Sequence, residues 1–445
     1  MTANGALSCQ VRGGRPLYGT VRIAGFKHAL VSVLAGAVAV GDRVRLANVP
    51  DVEDTRVLVE AIRRCGGHAR HDRGDGVLDL DLAGMTGAEL PPELSGRVHG
   101  SLYLVPGLLA RCGRVRAAGF GGCRIGAAAA GGERPLHHVA EVLERFGARV
   151  RLDGDELVAT ADTLVGTDID LREFMSDPVA MTGPLYSGAT KTAILAAAGA
   201  EGRSVLRHPY PKPDVTELIA SLAAAGLRAD RGPDALTIHG TGRRRARYRH
   251  RLPADVLEAL TFLTAALHVS GRLRLSGVAA ADLAGMAAER KVLEAMGVLL
   301  DWTPDGELTA TATASPLRAR DLVVASRGVF SDAQPFLTLL LTGADGPATV
   351  RDTVWESRFQ YAAELVRLGA DISVASGEAR VHPRRPTRTG ATLTARDVRG
   401  AAVLVLAALG VDGVTTIHGV EHLARGYDDL FGKLTAVGAD ITVTR

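Results

Sequence analysis

Lysine is scarce in this chain. Of 52 basic residues only five are Lys (Lys27, Lys191, Lys212, Lys291 and Lys433), and the other 47 are Arg. Together with the abundance of Ala and Gly, this reads as coding bias in a GC-rich genome. A Lys that persists against such a bias merits inspection, because ammonium and guanidinium groups are not interchangeable in sites. Cysteine is also sparse: Cys9, Cys65, Cys112 and Cys123. No two have CxxC spacing, which argues against a disulfide or zinc framework and fits a reducing compartment. The longest apolar stretch, Ala29 to Val40, is too short to cross a bilayer. The opening residues, MTANGALSCQVRGG, lack the charged-then-apolar order of a signal peptide, so a cytoplasmic protein is expected. Neither sign of charge dominates: 52 basic against 49 acidic residues give a net +3, which argues against a nucleic-acid or membrane partner. A pI of about 8.7 still leaves room for small anionic substrates. At 445 residues and 47% hydrophobic, with a mean hydropathy of +0.12, the chain can build two or three folded domains.

What the sequence does have is repetition. Six times an apolar helix pattern runs into a Gly and then into alternating strand residues, as in LERFGARVRLDGDELVA and LVRLGADISVASGEARV. The pivots are Gly66, Gly147, Gly226, Gly297, Gly369 and Gly438, spaced 81, 79, 71, 72 and 69 residues apart. A Gly after the last apolar turn suits a left-handed helix stop, which needs no Cβ. A second, more uniformly apolar helix pattern also recurs six times, from HALVSVLAGAVAVG to GAAVLVLAALGVDG. One α/β unit of two helices plus strands is therefore reused six times, most simply as two groups of three. The segment from Gly240 to Pro253, GTGRRRARYRHRLP, is the most polar of the chain. It reads as a solvated linker or strand, with an RNA-binding patch as the alternative.

Four places could carry chemistry. Lys27 and His28 follow a strand pattern and open an apolar helix, so Lys27 beside free helix N–H groups makes an anion site. Gly119 to Gly126 (GFGGCRIG) is Gly-rich without being a dinucleotide fingerprint or a P-loop. Cys123, near Arg124 and Arg134, would be a reactive thiol there, whereas Cys65 and Cys112 sit in apolar helix contexts. Asp332 precedes the helix FLTLLL and could either cap it or act as a base. Arg358, Arg399 and Arg425, with Asp397, stand at matching places in different repeats, and forked guanidinium groups at one end of the repeats would converge on an anion. His137, His138 and Glu141 lack metal-site spacing, so no metal is expected.

In combination these motifs resemble the enolpyruvyl transferases, and most closely those acting on UDP-N-acetylglucosamine. AGFKHAL resembles the family's SGAKNA, and GGCRIG its GGCAIG, followed by Arg134-Pro135. SDAQPFLTLL resembles TDMQAQFTLL, WESRF resembles FENRF, and HLARGYDDLFGKL resembles HIDRGYERIEDKL. The resemblance spans the chain in the family's order. It implies a two-domain inside-out α/β barrel of six βαβαββ units, three per domain. Residues 27–252 would form the first domain, with 1–26 and 253–445 forming the second. It implies phosphoenolpyruvate as co-substrate, a hydroxyl acceptor and no cofactor. By the same resemblance Lys27, Arg134 and Arg425 hold the donor. Arg358, Asp397 and Arg399 complete the cationic cluster, Cys123 is the loop acid that protonates the donor methylene, and Asp332 is the base.

The departures fall on acceptor positions. His28 replaces the family's Asn. His99 replaces an Arg, with Arg97 as a nearby substitute. Glu53 replaces a Lys, and His137 and Val139 replace an Asp and a His. A site whose hydrogen-bond partners change selects another acceptor. The sequence is therefore expected to serve a uridine nucleotide such as the 3′-hydroxyl of UMP, as in nucleoside-antibiotic pathways. The alternatives are the cell-wall enzyme itself and an inactive nucleotide-binding paralogue. GGCRIG further predicts that the epoxide antibiotic fosfomycin alkylates Cys123. Intact-mass analysis at saturating drug should show one adduct, which Cys123→Ser abolishes, and no adduct on the parent chain would contradict the reactive thiol.

Overall fold

A computed structural model describes residues 7–122 and 135–444. The chain divides into two compact units. One comprises residues 25–122 and 135–253, the other residues 7–24 and 254–444. Each holds three βαβαββ repeats in the order strand, inner helix, strand, outer helix, two strands.

Among the described residues the strands form six four-stranded sheets. In each, one pair of neighbouring strands runs parallel, and two further antiparallel strands extend the sheet. Three sheets take a strand from a distant part of the chain, one of them by the parallel pairing of Tyr18–Arg22 with Arg272–Ser276. Ser8–Gly13 inserts between Gly413–His418 and Asp440–Thr444. Ala246–Arg251 pairs in parallel with Gly41–Ala47. Of the two readings of the arginine-rich segment, linker or strand, residues Ala246–Arg251 take the strand. Tyr248 is buried while Arg247 and Arg249 face solvent, so a two-residue alternation lies under the charge run.

All six pivot glycines have φ between 84° and 106°, the left-handed region in which a side chain is strained. They end the outer helices, which are amphipathic. In Glu53–Arg64, Thr55, Leu58, Val59 and Ile62 are buried at helical spacing while Arg56, Arg63 and Arg64 stay exposed.

The inner helices have no polar face. In one unit they are Lys27–Val40, Leu104–Cys112 and Tyr186–Gly199; in the other, Val256–His268, Gln334–Leu341 and Val398–Leu409. Each set of three packs pairwise. Lys27–Val40 buries every residue from Ala29 onward. Gly107 permits the close approach of its neighbour, since a Cβ there would sit 2.7 Å from Ala35 O. A fully buried Leu or Val contributes about 1.5–3 kcal/mol, so these apolar cores dominate the stability of each unit.

In the first unit the inner helices end on side-chain donors. Arg111 donates to Val38 O at 2.7 Å, Arg245 to Ala110 O at 3.3 Å, and Thr241 to Ala198 O at 3.0 Å. Their N-termini have no side-chain cap. In each of these helices the positive dipole end therefore lies opposite the end closed by a side chain.

Candidate active site

In the unit of residues 25–253, Lys27 opens its inner helix, and Nζ lies 2.7 Å from Asp54 Oδ2. Both groups are largely buried, and Asp54 sits in the first turn of the outer helix Glu53–Arg64. Beside Lys27, the half-buried His28 meets Phe26 edge-on, with ring centroids 5.6 Å apart. Arg97 donates to Glu53 Oε1 at 2.9 Å. Two departures from the family pattern are thereby coupled: the Arg expected to replace a lost cation is paired with the Glu that replaces a Lys. His99 begins the short turn His99–Tyr103, with its ring edge-on to Tyr103. Gly122 packs on His99, for a Cβ there would lie 2.9 Å from His99 Cβ. Cys123 and Arg134 lie outside the described residues.

The same unit holds a pair that the motifs did not reveal. Lys191 Nζ lies 2.5 Å from Asp214 Oδ2 and 4.8 Å from the Tyr103 ring centre. Burial opposes the Lys191 charge, but Asp214 and Tyr103 outweigh it and raise the pKa. Asp54 and Asp214 both stand in the first turn of an outer helix, where acids are favoured, and that is the signal that could have found them. Their lysine partners are too distant in sequence to read.

In the unit of residues 7–24 and 254–444, Asp332 bridges two arginines. Arg358 Nη1 lies 2.6 Å from Asp332 Oδ1, and Arg399 Nε lies 3.0 Å from Oδ2. Asp332 makes no cap for Gln334–Leu341, whose N-cap is Ala333, so the capping alternative is corrected. Two guanidinium groups offer the carboxylate stronger partners than backbone amides do. Both arginine side chains are almost inaccessible, at 9% and 2% exposure. Burial works against the Arg358 charge, and Asp332, Asp397 and Asp352 reverse the effect and raise its pKa. Arg399 is raised likewise, chiefly by Tyr427 and Asp332. Its guanidinium stacks 5.0 Å from the Tyr427 ring centre, and the Tyr427 hydroxyl is 2.9 Å from Thr261 Oγ1.

Asp397 directs its hydrogen bonds to the backbone of its own helix, accepting from Arg399 N and Gly400 N at 3.0 Å each. Its charge also favours the charged form of Arg358. Arg425 is half-buried and ends the turn Val420–Arg425, two residues before Tyr427. Arg358 Nε and Arg399 Nη1 are buried without a hydrogen-bond partner. A buried unpaired N–H donor is costly, so these two atoms are unsatisfied donors within the cluster.

Chemically, the first unit offers a lysine at a helix N-terminus, and the second offers a carboxylate clasped by two cations with spare donors. Among the described residues no cluster of three His, Cys, Asp or Glu has metal-binding geometry, and no helix is long and apolar enough to cross a membrane.

The comparisons with known proteins bear on the family and the fold. The sequence signature of the EPSP synthase (3-phosphoshikimate 1-carboxyvinyltransferase) family matches residues 11–434. UDP-N-acetylglucosamine 1-carboxyvinyltransferase of Desulforapulum autotrophicum is 32% identical over 433 residues, covering 97% of this chain and 98% of the relative. The enzyme of the same name from the Wolbachia of Brugia malayi is 30% identical over 437 residues, with 97% of each covered. The crystal structure of the enolpyruvyl transferase NikO from Streptomyces tendae superposes with a TM-score of 0.92 at 40% identity, over 99% of both chains. EPSP synthase of Acinetobacter baumannii shares the fold at a TM-score of 0.72 and 19% identity, over 99% of this chain and 100% of the other. The chain belongs to the EPSP synthase family of enolpyruvyl transferases and is an enzyme of that class.

Near the second unit's site, Glu258 is fully buried. It accepts from Lys433 Nζ at 2.7 Å and from Ala24 N at 2.7 Å. Burial pushes its carboxyl up to about 7, against the pull of Lys433. A carboxyl raised above its ordinary value of 4.5 contributes stability that is complete below that pH and lost as the pH climbs through about 7. The contribution is roughly 3 kcal/mol. The urea unfolding free energy of wild type minus that of Glu258→Gln should therefore decline between pH 5 and pH 8. A difference independent of pH would contradict the assignment.

Proposed function

We propose that the protein transfers the enolpyruvyl group of phosphoenolpyruvate to a hydroxyl of a uridine nucleotide, with the 3′-hydroxyl of UMP as preferred acceptor. Lys27, Arg358, Arg399, Arg425 and Arg134 hold the donor's phosphate and carboxylate. Asp332 takes the acceptor's proton as the hydroxyl oxygen bonds to C2 of the donor, while Cys123 protonates the methylene carbon. The resulting tetrahedral adduct loses that methyl proton and then the C2–O bond to phosphate, giving the enol ether and inorganic phosphate. Proton transfer and cationic stabilisation suffice for this chemistry, so no metal or organic cofactor is required.

The Arg97–Glu53 pair carries the choice of acceptor. It removes a free cation where the family pattern has an Arg and a Lys, and His28, His99, His137 and Val139 change the groups at other positions where the sequence departs from that pattern. A site that has lost partners for one substrate rejects it strongly. The 40% identity to the enolpyruvyl transferase NikO supports enolpyruvyl transfer, and the relatives at 30% and 32% identity keep UDP-N-acetylglucosamine as the alternative acceptor.

The test is a phosphate-release assay with phosphoenolpyruvate and a panel of UMP, UDP-N-acetylglucosamine and shikimate 3-phosphate. UMP should give the highest kcat/KM, unaffected by EDTA. A preference for UDP-N-acetylglucosamine would assign the cell-wall reaction instead, and silence with all three would favour a nucleotide-binding paralogue.

A further inference from the structure

Behind Asp332 lies a pair that the reaction scheme leaves unused. Ser331 Oγ donates to Asp352 Oδ2 at 2.6 Å and accepts from Arg358 Nη1 at 3.2 Å. The other oxygen of Asp352 accepts from Val354 N at 2.9 Å and Trp355 N at 2.8 Å. Those amides belong to the turn that leads into Arg358, whose own N–H donates to Trp355 O at 3.0 Å. Asp352 is 1% exposed and Ser331 9%. Tyr361, three residues beyond Arg358, is anchored by its hydroxyl donating to Thr338 Oγ1 at 2.9 Å.

We propose that Asp352 is a positioning residue for enolpyruvyl transfer, holding Arg358 on Asp332 both through Ser331 and through the turn of residues 352–355. The proposal rests on the reading that Arg358 and Asp332 serve the reaction. Its physical core is the direction of one hydrogen bond. Arginine has donors only, so Ser331 can meet Arg358 only with a lone pair, and its proton must go elsewhere. Oδ2 of Asp352 takes that proton. A simple turn cap needs one carboxylate oxygen, and Oδ1 already fills that role. Oδ2 is therefore spent on orienting Ser331, which shares Nη1 of Arg358 with Asp332. An Asn at this position would keep its carbonyl on the two amides and turn its NH2 toward Ser331. The serine proton would then be released into the space Arg358 occupies. The guanidinium would no longer be held to one orientation, and a misplacement of about 1 Å in a reacting site can cost on the order of 100-fold in rate.

The experiment compares wild type with Asp352→Asn, Ser331→Ala and Ser331→Thr. It measures kcat and KM for phosphoenolpyruvate with whichever acceptor the wild type uses, phosphoenolpyruvate affinity by calorimetry, and the thermal midpoint. Asp352→Asn and Ser331→Ala should lose roughly 10- to 100-fold in kcat, with donor affinity several-fold weaker. Ser331→Thr, which keeps the hydroxyl, should stay near wild type in both. A wild-type kcat in Asp352→Asn, or a Ser331→Thr defect as deep as that of Ser331→Ala, would overturn the proposal. Should the wild type release no phosphate with any acceptor, the transferase reading falls and calorimetry still decides. Donor affinity lost in Asp352→Asn and Ser331→Ala but kept in Ser331→Thr supports positioning, and equal affinities overturn it. Should Asp352→Asn fail to fold, the two serine variants decide alone.

Discussion

One carboxylate, Asp332, holds two guanidinium groups that are otherwise almost sealed from water. The arrangement is tolerable only because the charges are matched and hydrogen-bonded: an uncompensated buried charge costs several kcal/mol. The surroundings follow from this requirement. The Tyr427 ring lies under the Arg399 guanidinium, Asp397 adds negative charge, and Ser331 links Arg358 to Asp352 by hydrogen bonds. Even so, the match is incomplete, for Arg358 Nε and Arg399 Nη1 have no partner. These two buried donors carry a cost that a further acceptor would relieve.

The apolar inner helices make such a cluster effective. They set a low-dielectric floor beneath it, and in that environment each charge interaction is stronger than in water. The other unit uses the same construction with different residues. Lys27 stands at the uncapped start of a fully buried helix and is met by Asp54 from the neighbouring outer helix. In that unit the candidate lysine thus stands at a helix start, while the helix ends at Val38, Ala110 and Ala198 are closed by Arg111, Arg245 and Thr241.

The repeat architecture was legible in the chain because its signals are local. A helix stop needs a left-handed residue, Gly supplies it, and six spaced glycines mark six repeats. The arginine-rich segment was harder, since its charge hides the alternation that makes Ala246–Arg251 a strand. Site residues carried by motifs, such as Lys27, Asp332, Arg358 and Arg399, could be named from the sequence. Their partners could not. Asp54 for Lys27, Glu53 for Arg97, and Asp352 for Ser331 are chosen by tertiary register, about which residue spacing carries no information. The local capping rule misjudged Asp332 for the same reason, because the two arginines that claim it come from later repeats.

The shared carboxylate is tested most directly by thermal unfolding of wild type and Asp332→Asn, each with and without phosphoenolpyruvate. Without ligand the variant leaves two buried cations unmatched, so it should be less stable by roughly 3 kcal/mol. Added phosphoenolpyruvate should then raise its midpoint more than it raises that of the wild type, since the anion replaces the missing charge. A variant as stable as wild type, or one that gains no more from the anion, would contradict the account.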